Sequence, residues 1–313
     1  MPFPVEGVCP FSVAIGSAPS GVFDVGLPVL GGAPVEDLFP PAGSTSRRGL
    51  LTIGETRDWL LGGAMLAVST DLEEVTGRLY AEIFAVAEGR HLARIWNYVP
   101  DINGSGRGGL ENYRVFCRGR SHAFERRYGR GFDAVLPSAS AVGGPPGMLS
   151  VVFAACSPKP RHVENPLQVP AYRYPREYGP RSPSFSRATI VSNPGETTIF
   201  ISGTAAISGH ATMAPARTGG QLAYALENLR GISLACGLGP DLASDRAARR
   251  HFKVYVRNPE EYPSVSALLG RELFRPGDTV TYLHAHICRM QLNVEIESTV
   301  RLAGSEQPAQ APS

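Results

Sequence analysis

The chain has 313 residues, room for about two domains at the usual ~150 residues each. It is 43% hydrophobic and 19% charged, a mix that excludes a disordered chain. Thirty basic against 28 acidic side chains leave +2, so no global field draws nucleic acid or an anionic membrane, and any bound anion must be held by a few placed cations.

Strand-like runs come first, at Val8 to Ile15 and Trp59 to Val68. Thr70-Asp71-Leu72-Glu73 fits a capping box that opens a helix, in which Leu72, Val75, Leu79 and Ile83 form one apolar stripe before Gly89 supplies a stop. A strand at Ala93 to Val99, a Gly-rich turn and a second helix from Leu110 to Tyr128 follow. The second half repeats that grammar. Strands at Leu149 to Ala155 and Thr197 to Gly203 precede a helix from Gln221 to Cys236 with Leu222, Ala225, Leu226, Leu229 and Ile232 on its apolar face. In the strand Phe252 to Arg257, residues 252, 254 and 256 alternate with Lys253, Tyr255 and Arg257. A helix after Pro259 and strands at Thr279 to Cys288 and Asn293 to Leu302 complete the pattern, and Ala303 to Ser313 is expected to fray. This order predicts an α+β fold, sheets with helices packed on one face.

Between the halves, Ser157 to Thr189 carries seven prolines, five arginines and three tyrosines, too proline-rich for a sheet interior. Composition alone leaves two readings, a linker between domains or a semi-rigid loop folded over a pocket. The five cysteines, Cys9, Cys117, Cys156, Cys236 and Cys288, are scattered with no C-x-x-C, against both a disulfide framework and a zinc knuckle. Met-Pro-Phe-Pro-Val-Glu does not resemble a secretory leader, and no apolar run is long enough to cross a bilayer. A soluble cytoplasmic protein is expected.

Candidate chemistry narrows by elimination. Gly104-Ser-Gly106-Arg-Gly108-Gly109 matches G-x-G-x-x-G, but Pro100 to Asn103 separate it from the strand, and no acidic residue closes a second strand at the distance a dinucleotide site needs. A flexible turn explains it as well. His284 and His286 share a strand side but lack a third metal ligand. No G-x-S-x-G elbow is present, and Cys117 has no evident histidine partner. What remains is a cofactor-free, metal-free site built from Arg, Tyr and Glu. On the second helix, Leu110, Tyr113, Cys117, Arg120 and Phe124 fall on one face. Arg120 on a buried phase needs an anion: an internal carboxylate, water reached by snorkelling, or a ligand. In the last strand Val294, Ile296 and Val300 oppose Glu295 and Glu297. That second face is either solvated or a cleft in which burial converts a carboxylate into a general acid.

Two sets of motifs carry a resemblance. Ile201-Ser-Gly203, Gln221 with Ala225-Leu-Glu227-Asn228-Leu229, and Val254-Tyr-Val256-Arg257 resemble the RidA/YjgF family. Arg94-Ile-Trp96-Asn97-Tyr98-Val-Pro100-Asp101-Ile-Asn103, the helix around Tyr113 and Arg120, and Tyr174-Pro-Arg176-Glu-Tyr178-Gly-Pro-Arg181 resemble the chorismatases, RidA-like enzymes of secondary metabolism and antibiotic biosynthesis. The resemblance implies two fused RidA/YjgF-like (chorismate-mutase-like) units: an N-terminal half over 1–156, the loop 157–188, a C-terminal domain over 189–302 and a tail, 303–313. It further implies chorismate as substrate, Tyr113, Arg120 and Arg173 as its holders, and Glu295 as the acid that protonates the enolpyruvyl methylene. Gly203, Cys288 and Gln168 resemble the subgroup that forms 3-hydroxybenzoate and pyruvate, with Gly203 leaving room for the ring to tilt. Met213 departs from the polar residue expected there. The alternatives are a hydrolytic chorismatase giving 3,4-dihydroxycyclohexa-1,5-dienoate, a RidA-like imine deaminase, and a ligand-binding protein. Because both halves contribute to the site, a monomer is expected rather than a trimer.

Overall fold

The computed structural model describes residues 10–15, 21–36, 44–69, 71–213, 217–243 and 247–303, and within them one topology occurs twice. Strands β1 (Pro10–Ala14), β2 (Val22–Gly32) and β3 (Val35–Glu36) lead in. The first unit is a meander of β4 (Thr45–Arg48), β5 (Leu51–Glu55) and β6 (Trp59–Ala67), then α1 (Leu72–Val86), β7 (His91–Pro100), α2 (Asn112–Tyr128), β8 (Ser138–Gly144) and β9 (Met148–Cys156). Here β8 runs parallel to β7, and β9 slots antiparallel between β6 and β7, giving the order β4-β5-β6-β9-β7-β8.

The second unit has the same plan. It comprises β10 (Arg161–Val163), β11 (Ala188–Asn193), β12 (Glu196–Thr204), a small hairpin of β13 (Ile207–Ser208) and β14 (Ala211–Thr212), α3 (Thr218–Ala235), β15 (Ala248–Val256), α4 (Tyr262–Glu272), β16 (Thr279–His284) and β17 (Val294–Ala303). Again the strand after the second helix, β16, is parallel to β15, and β17 inserts between β12 and β15. The α+β pseudo-repeat is therefore present as a repeat of topology. The expected division at residue 156 does not follow the sheets, however. β2 pairs with β16 and carries β1 and β3 with it, so residues 10–36 extend the second sheet.

Helices cover the outer face of each sheet, and the inner faces meet. Leu72, Val75, Leu79 and Ile83 of α1 and Phe116 and Phe124 of α2 pack on Ile95, Val99 and Phe153. Leu222, Leu229 and Ile232 of α3 pack on Val254, Ile296 and Val300. Between the sheets, Trp59, Trp96, Tyr98, Val152, Phe200, Tyr255 and Leu283 form a third core. Each fully buried side chain of this size contributes roughly 1.5–3 kcal/mol. The two helices of the first unit cross closely at Gly119, where a Cβ would lie 2.7 Å from the Glu73 carbonyl oxygen.

Local capping differs from expectation. Thr70 lies outside the described residues; Asp71 is the N-cap of α1, its carboxylate accepting from the Glu73 amide at 2.7 Å. The Glu73 side chain instead takes Arg118 Nε at 2.6 Å. His286 lies beyond the end of β16, so it does not share a strand with His284. Of the strand expected from Val8, residues 8 and 9 lie outside the described residues, as do 304–313 of the tail.

Candidate active site

A cavity of about 640 Å³ opens where α2, β8, β12, β17 and the proline-rich segment converge. Tyr113, Cys117 and Arg120 reach it from α2, Ala139, Ser140 and Ala141 from β8, Gly203 from β12, and Glu295 from β17. Tyr174, Tyr178, Pro183, Phe185 and Arg187 close it from the segment before β11, so that segment folds over a pocket and is not a linker. Cys288 and Arg289, from the turn between β16 and β17, complete the wall.

The alternating pattern of β17 acquires its meaning from the second sheet. Val294, Ile296 and Val300 face the helices, while Glu295 and Glu297, at 4% and 2% exposure, face the other sheet and not solvent. Glu297 is held by four donors: Lys253 Nζ, Arg94 Nη2 and Trp96 Nε1 at 2.7 Å, and Ser140 Oγ at 2.5 Å. Burial alone would raise its pKa, yet Lys253 and Arg94 pull it down to about 2. Glu295 shows the opposite behaviour. Burial first, and then the negative charge of Glu297, push its carboxyl up to about 8 against the opposing pull of Arg94 and Arg187. One buried strand face thus presents a fixed anion and, two residues away, an acid still protonated at neutral pH.

Gly203 is what lets that acid in. The pairing of β12 with β17 slips between Ile201 and Thr204, a bulge that turns Gly203 onto Glu295. A Cβ at this position would stand 1.9 Å from Glu295 Oε1 and 2.6 Å from its Cδ. The bulge is pinned because the Ser202 amide donates to the Arg187 carbonyl at 2.9 Å, and Ser202 Oγ donates to the Ser186 carbonyl at 2.7 Å while accepting from the Ala139 amide at 2.8 Å.

The cations are the second feature. Arg120 is 2% exposed, with Cζ 5.5 Å from the Tyr80 ring and 5.8 Å from the Phe124 ring. Its Nε and Nη2 are buried without a hydrogen-bond partner, and among the described residues no carboxylate pairs with it. Arg187 is 5% exposed; its Nη2 donates to Tyr174 Oη at 2.8 Å and to the Val169 carbonyl at 3.3 Å, and its Nε is unpartnered. Arg289 donates to the His210 carbonyl at 2.8 Å and lies over Tyr178, 4.2 Å from the ring centroid. A buried guanidinium without a counter-ion is costly by several kcal/mol, so the surroundings of Arg120 suit an anion that comes from outside, whereas Arg187 also acts on the Glu164 carboxyl, which burial pushes up to about 7 against its pull. The Tyr113 phenol hydrogen-bonds the thiol of Cys117 one turn on, and burial pushes both Cys117 and Cys288 up to about 12, leaving them as small apolar wall elements.

Of the residues singled out from the sequence, Tyr113, Arg120, Gly203, Cys288 and Glu295 come together here. Arg173 and Gln168 do not. Arg173 ends a 3-10 turn, is exposed, and lies over its own neighbour Tyr172 at 5.7 Å. The turn points it outward, and Arg187 takes the inward place. Gln168 is buried behind the wall, its amide donating to the Ile207 carbonyl at 3.1 Å, so it braces the small hairpin without touching the cavity. Met213 packs against the inter-sheet core. Arg187 and Ser140 were not picked out from the sequence, Tyr174 and Tyr178 entered only within the motif that carried the resemblance, and Arg289 only as a cation just upstream of the last strand; the proline-rich composition pointed to its segment but not to which side chains turn inward. The Gly104–Gly109 stretch is a turn that sets the start of α2, and among the described residues no group of three or more His, Cys, Asp and Glu could hold a metal.

Comparison with known proteins finds relatives in both sequence and fold. A family model described as chorismatase FkbO/Hyg5-like, N-terminal, matches residues 40–155. A 3-hydroxybenzoate synthase of Streptomyces hygroscopicus is 39% identical over 239 residues, 72% of this chain and 69% of the relative. A chorismatase of Streptomyces rapamycinicus is 37% identical over 260 residues, 78% of this chain and 75% of the relative. Among solved structures, a crystal structure of a chorismatase superposes with a TM-score of 0.76 at 32% identity, covering 83% of this chain and 80% of that one.

Proposed function

This chain belongs to the chorismatase family, and on that premise we propose that it converts chorismate to 3-hydroxybenzoate and pyruvate. The feature that carries the reading is one cavity that brings a buried carboxyl, its pKa pushed up to about 8, together with the buried guanidinium groups of Arg120 and Arg187, neither of which makes a salt bridge among the described residues. Chorismate is a cyclic dicarboxylate with an enolpyruvyl ether. Arg120 and Arg187 take its two carboxylates, with Tyr113 beside them. Glu295 gives its proton to the enolpyruvyl methylene, and the resulting oxocarbenium centre weakens the bond between the ring and the ether oxygen. The ring hydroxyl then attacks the carbon that bears the ether, closing a three-membered ring as the bonding pair leaves with the ether oxygen as pyruvate; that ring opens at the carbon that carried the hydroxyl, hydrogen is lost from the carbon that keeps the oxygen, and the one proton released overall as the ring aromatises balances the one gained by the methyl group. General acid catalysis of this kind is worth ~10²–10⁴ in rate.

Two features favour the intramolecular branch over attack by water. Gly203 and Cys288, two of the positions at which the sequence resembles the subgroup that forms 3-hydroxybenzoate, both line the cavity, and the 39%-identical relative bears the name of that product. The test is to incubate the purified protein with chorismate and identify the product by mass and ultraviolet spectrum. We expect 3-hydroxybenzoate. The dihydroxycyclohexadienoate would assign the hydrolytic branch, and failure to consume chorismate would overturn the reading.

A further inference from the structure

We propose that Glu297 is a positioning residue for the reaction, its fixed anion keeping the neighbouring Glu295 in the form that can donate a proton. The inference rests on Glu295 being the acid, and it goes further by saying what sets that acid's protonation. The two side chains leave the same face of β17 two residues apart, opposite Lys253 and Tyr255 on β15. Both are buried between the sheets, where a charge acts over a longer range than in water. Glu297 cannot take up the proton in place of Glu295, because its Oε1 accepts from Lys253 and Trp96 and its Oε2 from Arg94 and Ser140. Ser140 also lines the cavity, so the anion's support reaches the site wall.

The groups that face this pair define the field. Arg94, Trp96 and Tyr98 come from β7 and Ser140 from β8; Lys253 and Tyr255 come from β15, and Glu36 of β3 pairs with Lys253 from behind. Arg187 and Cys288 face Glu295 from the cavity side. Arg94 and Arg187 pull Glu295 towards ionisation, and Glu297 is the charge that opposes them. Stability alone does not call for such a cluster, since buried ion networks are often replaced by apolar side chains with no loss.

The experiment measures kcat/KM for chorismate against pH in wild type, Glu297→Gln and Glu297→Asp. Its basic limb reports the free enzyme's proton donor. In wild type we expect that limb at about pH 8. In Glu297→Gln it should fall by about one pH unit or more, so that the variant loses about fivefold more activity at pH 8 than at pH 6, or more if the limb moves further. Glu297→Asp keeps the anion and should keep the limb close to that of wild type even where kcat drops, a contrast that a merely structural role does not produce. Should Glu297→Gln fail to fold, the pair variant Glu297→Gln/Lys253→Met removes anion and cation together and should move the limb in the same direction. A limb that stays in place in the glutamine or the pair variant overturns the proposal. Glu295→Gln separates the two levels. If it retains turnover, Glu295 is not the acid and both readings fall, whereas an inactive Glu295→Gln beside an unmoved limb overturns the role of Glu297 alone.

Discussion

Gly203→Ala addresses the tightest contact in the site. Its Cβ would sit 1.9 Å from Glu295 Oε1, and ordinary van der Waals contact begins at 3.4 Å, so one partner must give way by about 1.5 Å. The β12 backbone is poorly placed to yield, because Ser202 is tied to Ser186, Arg187 and Ala139 on either side of the bulge. The carboxyl of Glu295 therefore withdraws. A displacement of about 1 Å from a reacting centre costs on the order of 10² in rate, and we expect kcat to drop by about 10²–10³, or roughly 3–4 kcal/mol in the barrier. KM should change far less, since Arg120 and Arg187 are not touched by the new methyl group. Continuous detection of pyruvate through a coupled dehydrogenase gives both constants, and chromatography of the ring product shows whether the displaced acid still steers the same branch. With Cys288→Ala added, any residual product should move towards the diene diol. A kcat within about threefold of wild type, with 3-hydroxybenzoate unchanged, would refute the contact on which this reasoning depends.

Three further outcomes follow from the same geometry. Arg120→Met removes a buried charge that has no protein partner, so the melting temperature should rise while kcat/KM for chorismate falls about 10–100-fold; unchanged kinetics would mean that the guanidinium does not meet the substrate. Arg173→Ala should leave kcat/KM within about threefold of wild type, whereas Arg187→Ala should lower it at least as much as Arg120→Met does, and the reverse order would restore the sequence-based assignment of Arg173. The Glu295 carboxyl has its folded pKa raised to about 8 from an ordinary 4.5, so its contribution to stability is fully present below the lower value and lost as pH rises through the higher. Relative to Glu295→Gln, which stays neutral throughout, wild type should lose about 4 kcal/mol of unfolding free energy between pH 5 and 8. Urea unfolding at a series of pH values checks this, and parallel curves for the two proteins would contradict it.

Much of this site was legible before any fold was known, because the signals were local. The 3-4-3-4 spacing that carries Tyr113, Cys117, Arg120 and Phe124 along one face of α2 depends only on helical geometry, and the alternation in β17 places Glu295 and Glu297 on one side for the same reason. Whether that side meets water was not legible. The answer lies in a second sheet more than a hundred residues away in sequence, which contributes Arg94, Trp96 and Ser140 to the environment of Glu297. The same holds for β2, whose Pro28 and glycines weaken its pattern and whose partner β16 is some 250 residues downstream. Arg173 and Arg187 are both arginines of a proline-rich segment. Only the turn that exposes the first and the pairing at the β12 bulge that fixes the second tell them apart. Gly203 was singled out for room beside the ring, yet the space it leaves is filled by the Glu295 carboxyl, a consequence of a bulge that no residue pattern announced.

The most direct measurement is chorismate turnover in heavy water by wild type and by Glu295→Gln, with the released pyruvate trapped at once as lactate and weighed by mass spectrometry. We expect wild type to yield 3-hydroxybenzoate and a pyruvate methyl group carrying a single deuterium delivered by the carboxyl, and we expect the folded glutamine variant to yield neither above background. Turnover by Glu295→Gln at a rate close to that of wild type would show that the proton comes from elsewhere.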